Sequence, residues 1–108
     1  MKAERLTALY IMEGKRMNIE MLFGIIKSRK ENPREGSYTS SLFAEGLPKI
    51  AQKVGEEGTE VVVAALAQDD QRLIEEVADL TYHTLVLLAA RGITPAQVLA
   101  ELEKRHRN

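Results

Sequence analysis

The sequence contains no cysteine and no tryptophan, and its aromatic residues are three tyrosines and two phenylalanines. Without cysteine the chain can have no disulfide, no thiol nucleophile and no cysteine-ligated zinc or iron–sulfur site. Positive charge is not in excess either, because 15 Lys and Arg stand against 16 Asp and Glu. This balance argues against the basic surface of a nucleic-acid-binding domain.

The N-terminal region lacks a long apolar run, because charged residues interrupt each apolar stretch before it reaches the length of a signal-peptide core or a membrane span. We therefore expect a cytoplasmic protein with neither a membrane nor a nucleic-acid partner. At 108 residues the chain has the size of one domain. We assign residues 17–108 to that domain and residues 1–16 to an N-terminal extension, with Met17 as an alternative start.

Apolar residues recur at helical spacing along most of the domain, which predicts an all-α bundle of four to five helices. Three consecutive valines at 61–63 also suit a strand, but their Glu and Ala neighbours favour a helix. A domain of this size leaves about a third of its unfolded surface exposed, so we expect a homodimer to complete the bundle. The predicted helices are 18–30, 41–45, 48–68, 71–91 and a last helix capped by Thr94, and residues 32–41 are predicted to form a loop.

Acidic residues gather on one face of each of the two long predicted helices. At 100° per residue, Lys53, Glu57 and Glu60 lie within about 60° of one another. Glu76 and Asp79 share a narrow face of the next helix with Arg72 and His83. Mg²⁺ prefers hard oxygen ligands and commonly bridges a few carboxylates to substrate phosphates. Two neighbouring helices that each offer an i, i+3 carboxylate pair would provide such a site.

Two other interpretations of these acids remain open on physical grounds. Glu57 and Glu76 could form ordinary i, i+4 ion pairs with Lys53 and Arg72 on solvated helix faces. A di-iron site is a poorer fit, because it commonly uses Glu-x-x-His on two helices, and neither of the two acidic helices contains that sequence. His83 is interpreted as a partly buried hydrogen-bonding residue. With no G-x-S-x-G sequence and no Walker loop, activated water remains as the nucleophile.

The pattern EExxE followed by ExxD is similar to the metal-binding signature of the all-α MazG-type nucleotide pyrophosphohydrolases. Within that superfamily, three segments between about residues 18 and 105 resemble the phosphoribosyl-ATP pyrophosphohydrolase family. These segments are ENPREGSYTSSLFAEG, KIAQKVGEEGTEVVVAAL and EEVADLTYHTLVLLAARGITPAQV.

The resemblance implies Mg²⁺-dependent hydrolysis of phosphoribosyl-ATP to phosphoribosyl-AMP and pyrophosphate, the second step of histidine biosynthesis. Glu56 would be a further ligand or the base that orients water, and Lys53 would face the phosphates. The implied metal ligands are Glu57, Glu60, Glu76 and Asp79, with Glu57 also in a catalytic role.

The polar loop is the candidate substrate-binding segment. Hydroxyl groups and an arginine fork suit sugar and phosphate oxygens, which makes Arg34, Ser37, Tyr38 and Thr39 the candidate contacts. Two alternatives remain: a housekeeping nucleoside triphosphate pyrophosphohydrolase that uses the same acids, and a non-enzymatic helical dimerisation module. The first would differ in substrate choice and the second would not bind Mg²⁺.

Overall fold

The computed structural model describes residues 16–106, which form five α-helices and, within that range, no strand. The all-α prediction is confirmed, and the valines at 61–63 are helical. Nearly all of the predicted extension 1–16 lies outside the described residues, as do residues 107–108. The helices are α1 (Ile19–Glu31), α2 (Tyr38–Glu45), α3 (Leu47–Ala67), α4 (Asp70–Ala90) and α5 (Pro95–Arg105).

Side-chain caps explain where α1, α4 and α5 begin. The Asn18 side chain accepts a hydrogen bond from the backbone N–H of Met21 at 2.7 Å, and Asp69 accepts one from Arg72 at 2.9 Å. Thr94 and Gln97 form the predicted capping box, and Pro95 lies between them at the start of the helix. Such caps satisfy backbone N–H groups that have no partner within the helix.

The predicted loop at 32–41 is too long, because α2 begins at Tyr38 and not at Ser41. Ser37 is the reason: its hydroxyl accepts a hydrogen bond from the backbone N–H of Ser40 at 3.1 Å and so caps the helix. The serine-rich composition suggested a loop, but serine is equally favoured at helix starts. Tyr38 and Thr39 therefore lie in the first turn of a helix.

Helices α3 and α4 form a hairpin joined by residues 68–69 and make the most extensive helix contact of the described chain. So short a connection makes the two helices antiparallel neighbours. Helices α1 and α2 pack against this hairpin. The buried core joins α1, α2, α3 and α4 through Ile26, Leu42, Ile50, Tyr82, Leu85, Val86 and Ala89.

Several large apolar side chains remain exposed on the hairpin, and a second apolar surface lies between α1, α4 and α5. Leu66 is 83% exposed and Ile74 is 62% exposed. The groove between α1, α4 and α5 has a volume of about 400 Å³. Among residues 16–106 no single helix is long and apolar enough to cross a membrane; only α4 and α5 together reach that length and composition, and they are bent by 105°.

Gly58 and Gly46 differ in backbone geometry, so we expect replacement by alanine to change the stability of the protein in opposite directions. A Cβ added at Gly58, inside α3, would meet no atom within 4 Å. We expect Gly58→Ala to raise the free energy of unfolding by about 0.5–1 kcal/mol, because alanine favours helix. Gly46 has a φ of 95°, which alanine rarely adopts, so Gly46→Ala should lower the free energy of unfolding by roughly 1 kcal/mol or more. Urea denaturation measures both, and a destabilised Gly58→Ala would contradict the open space at that position.

Candidate active site

The antiparallel hairpin brings acids from α3 and α4 into one cluster. Glu57, Glu76 and Asp79 each place one carboxylate oxygen within 4.8 Å of the others. Glu57 and Glu76 are only 6% and 5% exposed, and Asp79 is half-buried. Three carboxylates at this separation, largely removed from water, repel one another unless a proton or a cation lies among them.

Each buried glutamate uses one oxygen in an ion pair with a base on its own helix. Glu57 Oε1 lies 3.5 Å from Lys53 Nζ, and Glu76 Oε1 lies 2.5 Å from an Arg72 guanidinium nitrogen. The second oxygen of each, Glu57 Oε2 and Glu76 Oε2, is buried and has no hydrogen-bond partner within residues 16–106. Buried charged oxygens are costly without a partner. The i, i+4 ion pairs Lys53–Glu57 and Arg72–Glu76 do form, as the alternative interpretation predicted. They nevertheless leave Oε2 of each glutamate without a partner.

Glu60 lies against Glu76 at one side of the cluster. The pKa of the Glu76 carboxyl is raised, first by the close approach of the Glu60 carboxyl, then by burial and by the charge of Glu60, while Arg72 opposes the change. A second negative charge nearby disfavours ionisation of a carboxyl group and so raises its pKa. Glu60 itself is exposed, so the acidic cluster extends from the helix interface to the surface.

The cluster opens onto a cavity of about 600 Å³ that the beginning of α2 also lines. One side of the cavity carries hydroxyl groups, and the other carries acids and a lysine. A cavity of this size can hold a nucleotide-sized ligand. Its lining residues are Gly36, Ser37, Tyr38, Ser41, Lys53, Glu57, Asp79 and His83.

Tyr38 and Lys53 influence each other across this cavity. Burial raises the pKa of the Tyr38 hydroxyl; Lys53 lowers it, and the carboxylates of Glu57 and Asp79 raise it further. Burial lowers the pKa of Lys53, but Tyr38, Glu57 and Glu56 together outweigh burial, so its pKa is raised overall. The tyrosine therefore keeps its proton and the lysine its positive charge at neutral pH.

The predicted site residues fall into two groups. Ser37, Tyr38, Lys53, Glu57 and Asp79 line the cavity, and Glu76 and Glu60 extend the acidic cluster beside it. The other three predicted residues lie outside the cavity lining.

Glu56, Arg34 and Thr39 do not line the cavity. Glu56 has a side chain that is 44% exposed and accepts a hydrogen bond from Gln52 Nε2 at 2.8 Å. Arg34 is exposed in the loop before α2. Thr39 is fully buried, and its hydroxyl hydrogen-bonds that of Tyr82. The helical start of α2 explains the difference for Thr39, because successive residues of a helix turn to different sides.

Three cavity residues were not predicted as site residues: Gly36, Ser41 and His83. Ser41 lies one helical turn after Ser37 and so shares its side of α2. His83 is hydrogen-bonded through both ring nitrogens, which confirms its interpretation as a hydrogen-bonding residue, and at 3% exposed it is more completely buried than predicted. The spacing of four residues from Asp79 was the available signal that it also reaches the cavity.

Comparison with known proteins identifies the family. Residues 20–106 match the profile described as phosphoribosyl-ATP pyrophosphohydrolase. Proteins named phosphoribosyl-ATP pyrophosphatase are similar to this chain. The protein of Listeria monocytogenes is 60% identical over 84 residues, covering 78% of this chain and 81% of the relative. That of Lacticaseibacillus casei is 54% identical over 94 residues, covering 87% and 86%.

A third relative is similar over a comparable length. The phosphoribosyl-ATP pyrophosphatase of Sulfurisphaera tokodaii is 51% identical over 87 residues, covering 81% of this chain and 93% of the relative. Identity above one half over at least 78% of each chain, together with the profile match, confirms the resemblance based on the acidic and polar segments. The chain belongs to the phosphoribosyl-ATP pyrophosphohydrolase family.

Proposed function

We propose that this protein hydrolyses phosphoribosyl-ATP to phosphoribosyl-AMP and pyrophosphate, the second step of histidine biosynthesis, in the cytoplasm. Family membership supports the reaction, since the relatives are named for this substrate. The observation that carries the chemistry is the pair of buried, unpartnered carboxylate oxygens on Glu57 and Glu76 beside a nucleotide-sized cavity.

The acidic cluster fits Mg²⁺ by its donor chemistry. Its members offer only carboxylate oxygens, the ligands that this ion prefers, and two of these oxygens are buried without a hydrogen bond. When bound, Mg²⁺ would supply charge neutralisation for the triphosphate and activation of water. The residues that would hold the ion are Glu57, Glu60, Glu76 and Asp79.

The remaining residues of the cavity would bind and orient the nucleotide. The Lys53 ammonium group keeps its charge and lies beside the acids, so it would bind phosphate oxygens as they approach the cluster. Ser37 and Tyr38 lie on the α2 side of the cavity, where hydroxyl groups suit the sugars. Arg34 and Thr39 remain proposed substrate contacts, although neither lines the cavity.

Glu56 is proposed to accept the proton of the attacking water or to be a further metal ligand. Its carboxylate lies 4.0 Å from the Nζ of Lys53, which lines the cavity. Glu56→Gln separates the two roles. Loss of a base lowers kcat by about 100-fold at unchanged Mg²⁺ requirement, whereas loss of a ligand raises the Mg²⁺ concentration needed for half-maximal activity. Unchanged kinetics would exclude both roles.

The activity itself is tested by following pyrophosphate release from phosphoribosyl-ATP with purified protein. We expect release in the presence of Mg²⁺, none after chelation with EDTA, and recovery when Mg²⁺ is restored. Failure to release pyrophosphate at any Mg²⁺ concentration would disprove the proposed function. Activity that persists in EDTA would disprove the metal dependence alone.

We also propose a homodimer, supported by the exposed apolar side chains of the hairpin. Leu66 and Ile74 are more than half exposed, an arrangement more typical of an interface than of a free surface. Light scattering at micromolar concentration should give twice the mass of one chain. Ile74→Arg should shift the mass towards one chain, whereas Glu31→Arg, on exposed polar surface, should not. A fully active monomer would contradict the proposal.

A further inference from the structure

Two hydrogen bonds connect the cavity wall to the backbone of α4 through His83. Its Nδ1 lies 2.7 Å from the backbone oxygen of Asp79, and its Nε2 lies 2.7 Å from the hydroxyl oxygen of Tyr38. The imidazole ring also meets the rings of Tyr38 and Tyr82 edge to face, each with a centroid separation of 5.8 Å. His83 is therefore held by contacts on several sides.

The chemistry of the partners determines the direction of both hydrogen bonds. A backbone carbonyl oxygen can only accept, so His83 Nδ1 carries the hydrogen and donates it to Asp79. In a neutral imidazole the other nitrogen then accepts. With the imidazole neutral, the Tyr38 hydroxyl donates its only proton to His83 Nε2. Towards the cavity, Tyr38 presents oxygen lone pairs and no hydrogen.

We propose that His83 is a positioning residue that makes Tyr38 a hydrogen-bond acceptor towards the cavity, so that Tyr38 recognises a hydroxyl or amino group of the substrate. Phosphate oxygens of a nucleotide at neutral pH are predominantly acceptors, and they would find no donor on Tyr38. The inference rests on the proposed function and narrows it: Tyr38 binds the sugar or base portion, and Lys53 binds the phosphates.

The state of His83 can be measured without substrate. The sequence has two histidines, and His106→Asn leaves a single imidazole in the spectrum. Long-range ¹H–¹⁵N NMR of this variant at neutral pH should show a neutral ring protonated on Nδ1. Adding Tyr38→Phe should shift the Nε2 resonance, because its hydrogen-bond donor is lost. A ring protonated on Nε2, or on both nitrogens, would overturn the proposal.

Kinetics test the recognition itself. Tyr38→Phe keeps the ring and removes the oxygen, so we expect KM for phosphoribosyl-ATP to rise about tenfold with kcat changed less than about twofold. The inhibition constant of inorganic pyrophosphate should stay the same. Lys53→Gln is the matched control, because removing the phosphate-binding cation should weaken pyrophosphate inhibition. Equal weakening in Tyr38→Phe would assign its hydroxyl to the phosphates and overturn the proposal.

Variants of His83 separate positioning from simple packing. His83→Leu should raise KM for phosphoribosyl-ATP as Tyr38→Phe does. In a protein that already carries Tyr38→Phe, it should cause no further increase in KM. His83→Gln offers an amide oxygen as acceptor and should restore most of the affinity. Additive effects of the two substitutions, in variants whose circular dichroism is native, would overturn the positioning role. Absence of hydrolysis by the unmodified protein would defeat the proposed function alone, since NMR decides the tautomer independently.

Discussion

Glu57→Gln and Asp79→Asn are each expected to lower the turnover of phosphoribosyl-ATP by about 1000-fold while the apoprotein stays folded. Each substitution removes one negative charge from a cluster whose ligand oxygens lie within 4.8 Å of one another. The same change relieves repulsion in the absence of metal, so the stability of the apoprotein should hold or rise. Glu60→Gln and Glu76→Gln should behave in the same way.

Glu75→Gln is the matched control for these variants. Glu75 is the neighbour of Glu76 on α4, but its side chain is 46% exposed and pairs with Arg72 outside the cluster. The control removes the same charge and should change turnover by less than about twofold. Turnover at limiting Mg²⁺ and thermal unfolding of the apoprotein are the measurements. Near-normal turnover in two or more of the four cluster variants would make the assigned metal site wrong.

Local signals in the sequence predicted most of the fold. Asp69 and the Thr94–Gln97 box are strong helix starts, and the helix α3 continues through the three valines. The one clear error, the start of α2, came from treating a serine-rich segment as loop when Ser37 caps a helix. Serine is common both at helix caps and in loops, so composition alone does not distinguish the two. Only the packing of the following turn does.

The acidic part of the site was predictable because helical geometry places residues three apart on one face. To predict that Glu57 with Glu60 and Glu76 with Asp79 would face each other, only this rule and the pairing of adjacent helices were required. The rest of the site depends on contacts between distant segments. Tyr38 and His83 are 45 residues apart, and no local pattern indicates that they touch. The burial of Thr39 against Tyr82 likewise depends on how α2 packs on α4.

Phosphoribosyl-ATP should be hydrolysed with a catalytic efficiency on the order of 10³–10⁵ times that of ATP. The acids and Lys53 meet similar triphosphates in both substrates, so they cannot discriminate. Selectivity must come from the phosphoribosyl group, and the cavity has polar groups near α2 beyond those needed for phosphate. When the shorter substrate leaves such groups without partners, the loss of affinity in the transition state is large.

Arg34→Gln tests this selectivity at the loop before α2. Arg34 is exposed two residues before Gly36 of the cavity wall, where a guanidinium could pair with the additional phosphate of phosphoribosyl-ATP. The substitution should lower kcat/KM for phosphoribosyl-ATP by about tenfold and leave that for ATP unchanged. Arg91→Gln, at the far end of α4, removes the same charge and should affect neither substrate. Equal efficiency of the unmodified protein on ATP would instead support a general nucleoside triphosphate pyrophosphohydrolase, with the metal cluster unaffected.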